Sequence, residues 1–329
     1  MRDIHTSGAR RWPLAVTVGA LSATVAFASA GVTSAYAENQ PASRDQGKAK
    51  NVVFFIGDGL GAAQRNAGAL ATVGLDGELA MDSLPYAGMV KTDSADRKNF
   101  VTDSAAAATS YATGVKTYNG AIGKDVDGND VQTLIEQAEA AGLSTGLVTT
   151  GEITDASTAA FGAHVENRNQ QTEIARQYIQ ETGVDVLLGG GEDFWYPTSD
   201  PGKIEGGTSR SDQGDLVAKA QELGYEYVYA ADALAGAEAE EGKLLGLFAN
   251  RTMFVSEPEP VGNNDRIVSL KEMTDKAVEI LSKNEKGFVL IVEEEAIDEQ
   301  AHANNAGTTI ESVRLMDEAV ATAKEFAEG

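Results

Sequence analysis

Residues 51–56, N-V-V-F-F-I, form an unbroken apolar run that ends abruptly in Gly57-Asp58-Gly59-Leu60-Gly61. A short β-branched and aromatic run closed by glycines predicts a strand buried on both faces, because a half-buried strand would alternate. Further buried strands are expected at residues 184–188 and 287–292, and further strands at 144–149, 225–229 and 244–248. Helical spacing lies between these runs at residues 131–141, 215–223 and 269–281, and a final helix is expected from about 308 to 326. Strands alternating with helices define an α/β fold, with a mostly parallel central sheet and helices on both faces. In such folds sites sit at the carboxyl ends of the strands, which is where Asp58 falls. Residues 192–212 read as a surface loop and 231–242 as a peripheral segment.

Length and charge limit the function. At 329 residues the chain can bury a sizeable core. Its formal charge of −24 gives no footprint for nucleic acid. There is no cysteine, so disulfides and thiolate zinc sites are excluded. The three histidines are His5, His164 and His302, and His164, set among small and apolar residues, reads as structural.

The N-terminus has the form of an export signal. Arg2, Arg10 and Arg11 precede an apolar run from about 12 to 30, and Ala35-Tyr36-Ala37 offers a cleavage site, with Ala28-Ser29-Ala30 as a second. Ser, Thr and Gly interrupt the run, which favours export over a membrane anchor. The expected organisation is a signal peptide over 1–37, a polar lead-in over 38–50 and one folded domain over 51–329. The mature protein is expected to be secreted, periplasmic or extracellular, with no membrane anchor after cleavage.

Three segments carry candidate chemistry. In V-T-D-S-A-A-A-A-T-S-Y-A-T-G-V-K-T-Y-N-G, residues 101–120, either Thr102 or Asp103 can cap a helix that ends near Gly114. Ser104 then lies in the first turn, where unpaired N–H groups favour anions. Taken alone, the segment favours the reading of a capped helix packed on a sheet. Residues 149–168 hold Asp155, Ser157, His164 and Arg168, and the planar fork of Arg168 suits two phosphate oxygens. The run at 287–292 leads into Glu293, Glu294 and Glu295, followed by Asp298, Glu299 and His302. On a helix, Asp298 and His302 share a face and could hold one ion.

Together these segments resemble the bacterial alkaline phosphatase family. The resemblance rests on V-T-D-S-A-A-A-A-T with T-G-V-K-T-Y-N-G, on the 149–168 segment, on S-L-K-E-M-T-D-K-A, and on the spacing V-E-x-x-x-I-D-x-x-x-H. It implies a phosphate monoester hydrolase with Ser104 as the nucleophile that becomes phosphoserine and Arg168 as the substrate clamp. It further implies a magnesium bound by Asp58, Ser157 and Glu293, and two zinc ions. Asp298 and His302 would belong to one zinc, Asp58 and Ser104 to the other, with Asp103 and Asp155 supporting the site.

Three departures are visible. Glu294 and Glu295 replace small residues, which would strain packing or add negative charge beside the site. Glu299 stands at a position near the phosphate and would repel it. The chain also stops before the family's Asp-His pair and its later His, so the domain is expected to be incomplete at its C-terminus and low in activity. The expected partners are small phosphate monoesters and, as a candidate, a second copy of the chain. Competing readings are a related diesterase or sulfatase-like hydrolase and a non-catalytic phosphate- or metal-binding protein.

Overall fold

The computed structural model describes residues 49–256, 264 and 266–329, which lie in one compact unit running from Ala49 to Gly329. The expected signal peptide and nearly all of the expected lead-in fall outside the described residues. Six strands form the sheet: β1 (Val52–Gly57), β2 (Ser144–Glu152), β3 (Val186–Gly190), β4 (Glu226–Val228), β5 (Leu244–Leu247) and β6 (Phe288–Glu294). Their order is β1-β6-β2-β3-β5-β4 and every described pairing is parallel.

Ten α-helices accompany them among the described residues. In chain order they are α1 (Ala62–Val73), α2 (Ser104–Thr113), α3 (Leu134–Ala141), α4 (Ala156–Gly162), α5 (Gln171–Gln177), α6 (Leu216–Glu222), α7 (Ala231–Gly236), α8 (Leu270–Leu281), α9 (Ala296–His302) and α10 (Ala306–Glu328). Side chains of α2 to α6 fill one face of the sheet around Leu147, Leu187 and Ile291. The other face packs Val148, Leu188 and Leu290 against α7, α8 and α10. The alternation of these residues along each strand produces two cores, because successive strand side chains point to opposite faces.

Local sequence accounts for most boundaries. Ser269 caps α8 reciprocally with Glu272, and Thr133 does the same for α3 with Glu136. The cap at Thr133 leaves Val131 outside α3, so that helix starts later than its apolar spacing suggests. β2 runs three residues past the expected end, through T-T-G-E, because Glu152 pairs with Gly190 of β3 beyond a register shift.

One expectation is corrected. β1 is not buried on both faces: Val52 is 39% exposed and Phe54 37%. β1 forms an edge of the sheet, with β6 as its partner, so its apolar run faces partly into solvent.

Candidate active site

The carboxyl ends of β1, β6 and β2 open into a pocket of about 670 Å³ that takes in Asp58, Ser104, Asp155, Ser157, Arg168, Asp298 and His302. Glu293 lies at the same strand ends, fully buried, in register with Thr149 of β2. The three sequence segments, more than 190 positions apart at their extremes, therefore meet at one place.

Ser104 is the first residue of α2, and Asp103 rather than Thr102 is the cap, accepting from the Ala106 N–H at 2.9 Å. The other Asp103 oxygen accepts from the Gly120 N–H at 2.8 Å, and the Asn119 side chain accepts from the Asp103 N–H. The segment T-G-V-K-T-Y-N-G thus holds the serine's neighbour in place. It also reaches Arg168, whose backbone N–H donates to the Gly120 carbonyl. The guanidinium of Arg168 donates through Nη1 to Ser104 Oγ at 2.8 Å. Through Nη2 it donates to both Asp155 oxygens, at 3.0 and 2.9 Å. Burial opposes the charge on Arg168, but Asp155 and Asp103 outweigh it and push its pKa further up. The arginine is consequently a fixed cation beside the serine hydroxyl.

The remainder of the pocket is anionic. Asp58, Asp103, Asp155, Glu295, Asp298 and Glu299 all line it. Burial, with Asp298 next in importance, raises Asp58 to about 7. Burial and then Asp58 raise Glu293 to about 8, against hydrogen bonds from Ser157 and Thr149. The Thr149 hydroxyl lies 2.7 Å from Glu293 Oε2. Asp58, Ser157 and Glu293 offer only oxygen donors, the chemistry a hard cation such as magnesium takes. On this donor set the residues fit magnesium.

Zinc fits less well. Asp298 and His302 are one turn apart on α9, with His302 Nε2 at 3.2 Å from Asp298 Oδ2. A catalytic zinc commonly has three protein ligands. Among the described residues no group of three or more His, Asp or Glu side chains is arranged to hold an ion. No reaction step is therefore assigned to zinc.

The three consecutive glutamates diverge. Glu294 does not add charge to the pocket, contrary to expectation. It is buried on the other side of the strand end and paired with Arg266 through two hydrogen bonds of 2.7 and 2.8 Å. Glu295 does face the pocket. Glu299 is a half-buried pocket residue whose pKa is raised by burial and then by Asp298. His164 is structural as expected, bonded to the Gly123 carbonyl and to Glu136. Sequence reasoning did not single out Thr149, Tyr111 or Thr92. Thr149 is identifiable only from the parallel register of β2 on β6, while Tyr111 lies two turns after Ser104 on α2 and could have been found from helical spacing.

A serine at a helix N-terminus, hydrogen-bonded by an arginine amid oxygen donors at the ends of parallel strands, is the centre of this α/β protein's pocket. The family can be named. The alkaline phosphatase family model matches residues 49–329, and the chain belongs to that family. It is 38% identical to the alkaline phosphatase of Escherichia coli over 322 residues, covering 85% of this chain and 67% of that protein. The crystal structure of Thermus thermophilus alkaline phosphatase superposes with a TM-score of 0.73 at 33% identity, covering 85% of this chain and 56% of that one. A TAB5 alkaline phosphatase variant with magnesium bound superposes at 0.69 with 31% identity, covering 85% of this chain and 74% of that one. The chain thus spans between about half and three quarters of the length of these relatives.

Proposed function

We propose that this chain carries the nucleophile, phosphate-clamp and magnesium portion of a phosphate monoester hydrolase that works through a phosphoserine. The observation supporting this reading is the contact between Ser104 Oγ and Arg168, with Asp155 holding the other side of the guanidinium. A phosphate placed there meets the N-terminus of α2 and the arginine fork, the two positive features of the pocket. Ser104 Oγ would attack phosphorus in line with the departing alcohol oxygen. Arg168 would hold two non-bridging oxygens, while Asp103 and Asp155 keep serine and arginine oriented.

Six carboxylates around one guanidinium would repel a phosphate dianion unless cations offset them. Asp58, Ser157 and Glu293 would hold magnesium, which supplies that positive charge and favours ionisation of the serine. Asp298 and His302 would contribute to a zinc whose remaining donors are not among the described residues. Residues 38–329 alone should therefore have little or no phosphatase activity. The protein would act outside the cytoplasm, and secreted material should begin at Glu38.

The experiment supplies an aryl phosphate to the chain and to a chimera extended with a homologous C-terminal segment, in zinc and magnesium, with acid trapping. Label should appear on Ser104 of the chimera, with little steady turnover by the chain itself. Full activity in the Ser104→Ala chimera would rule out the nucleophile role. Faster hydrolysis of diesters or aryl sulfates than of monoesters would favour the related-hydrolase reading.

A further inference from the structure

We propose that Glu295 is an additional oxygen ligand for a divalent hard cation, beyond Asp58, Ser157 and Glu293. The inference rests on the reading that those three residues bind magnesium. Of the three glutamates in succession, Glu293 is hydrogen-bonded by Thr149 and Ser157, and Glu294 is neutralised by Arg266. Glu295 is 5% exposed and lines the pocket, yet its Oε2 has no hydrogen-bond partner. Buried carboxylates are ordinarily paired with a cation or bound to a metal, because desolvating an unpaired charge is unfavourable. The strongest electrostatic neighbours of Glu295 are Asp155, Glu293, Asp58 and Glu152, all acids.

The carboxylate is also given space that only glycine allows. A Cβ on Gly151 would lie 1.1 Å from Glu295 Oε2. The backbone N–H of Glu295 donates to Thr150 Oγ1 at 3.1 Å, so the residue's main chain is anchored while its head group faces the acidic pocket. No three acidic or histidine side chains among the described residues stand as a finished ligand set. Binding therefore requires the side chain of Glu295 to turn toward Asp58 and Glu293 about its own torsions. A fourth protein oxygen donor would suit a cation that accepts six or more oxygens.

The test is calorimetric titration of chelator-treated full chain with Mg²⁺, for wild type, Glu295→Ala, Glu295→Gln and Asp58→Asn. Mn²⁺ is then used in place of Mg²⁺, with solvent proton relaxation counting the waters left on the ion. Loss of a residue that only supports a ligand commonly weakens metal affinity 10–100-fold, so removing a direct ligand should weaken it at least about tenfold. Both Glu295 variants should show that loss, and Glu295→Ala one extra water on Mn²⁺. Wild-type affinity or tighter binding in folded Glu295→Ala, with Asp58→Asn still impaired, would overturn the role of Glu295 and leave the magnesium reading standing. Unchanged binding in Asp58→Asn, or no Mg²⁺ binding by wild type, would overturn both. If Glu295→Ala fails to fold, the isosteric Glu295→Gln decides by the loss of Mg²⁺ affinity.

Discussion

Removing the arginine that neutralises Glu294 should destabilise the protein sharply, while removing both members of the pair should not. The side chain of Arg266 is 2% exposed and that of Glu294 0%, and two parallel hydrogen bonds join them. Glu294 Oε1 also accepts from the Thr150 hydroxyl at 2.9 Å and from the Ala296 N–H at 3.2 Å. The pair therefore ties the end of β6 to β2 and to the start of α9, which carries Asp298 and His302. Arg266→Met would keep most of the apolar stem but leave a buried carboxylate without its cation. Breaking such a pair costs about 3–5 kcal/mol, whereas replacing both partners with apolar residues is often close to neutral. At about 2 °C per kcal/mol for a domain of this size, Arg266→Met should lower the melting temperature by roughly 6–10 °C. Glu294→Ala with Arg266→Met should recover much of that loss. The assay is thermal and urea unfolding of wild type, both single variants and the double variant, read as a double-mutant cycle. Additive single effects, or an Arg266→Met variant within about 2 °C of wild type, would refute the claim that the pair is energetically coupled.

Two further predictions concern stability. Glu139 sits on α3, its carboxyl bonded by the Thr145 hydroxyl, and burial raises its pKa to about 7 from 4.5. Because the folded chain keeps this proton after the unfolded chain has lost it, the stabilisation is complete below about 4.5 and falls away as pH rises through about 7. Glu139→Gln should thus gain stability over wild type at pH 8 but not at pH 4, measured by thermal melts across that range; equal shifts at both pH values would contradict the assignment. Gly59 adopts φ +63°, and a Cβ there would lie 2.3 Å from Asp298 Oδ1 and 2.9 Å from the Asp298 backbone. Gly59→Ala should cost about 1–2 kcal/mol for the left-handed backbone and about 1–3 kcal/mol more for overpacking. Urea unfolding would check this, and an unchanged midpoint would show that α9 can move away freely.

The sequence by itself determined the α/β class, the alternation of strands and helices, and the local chemistry of each segment. Apolar runs closed by glycine mark strands, Ser269 and Thr133 mark helix starts, and a Ser after a capping Asp places a hydroxyl in a first turn, all through interactions among near neighbours in the chain. The resemblance of its motifs to the alkaline phosphatase family singled out Asp58, Ser104, Ser157, Arg168, Glu293, Asp298 and His302 as candidates. Only the tertiary structure decided how they combine. Strand order placed β6 between β1 and β2, which brings Glu293 beside Thr149 and Asp58 to the same end of the sheet. It also put β1 at an edge, so an unbroken apolar run is partly exposed. The three glutamates show the difference most clearly. Identical in sequence, they acquire a hydroxyl pair, an arginine and an unpartnered pocket position because successive residues point in different directions and each direction meets a different distant segment.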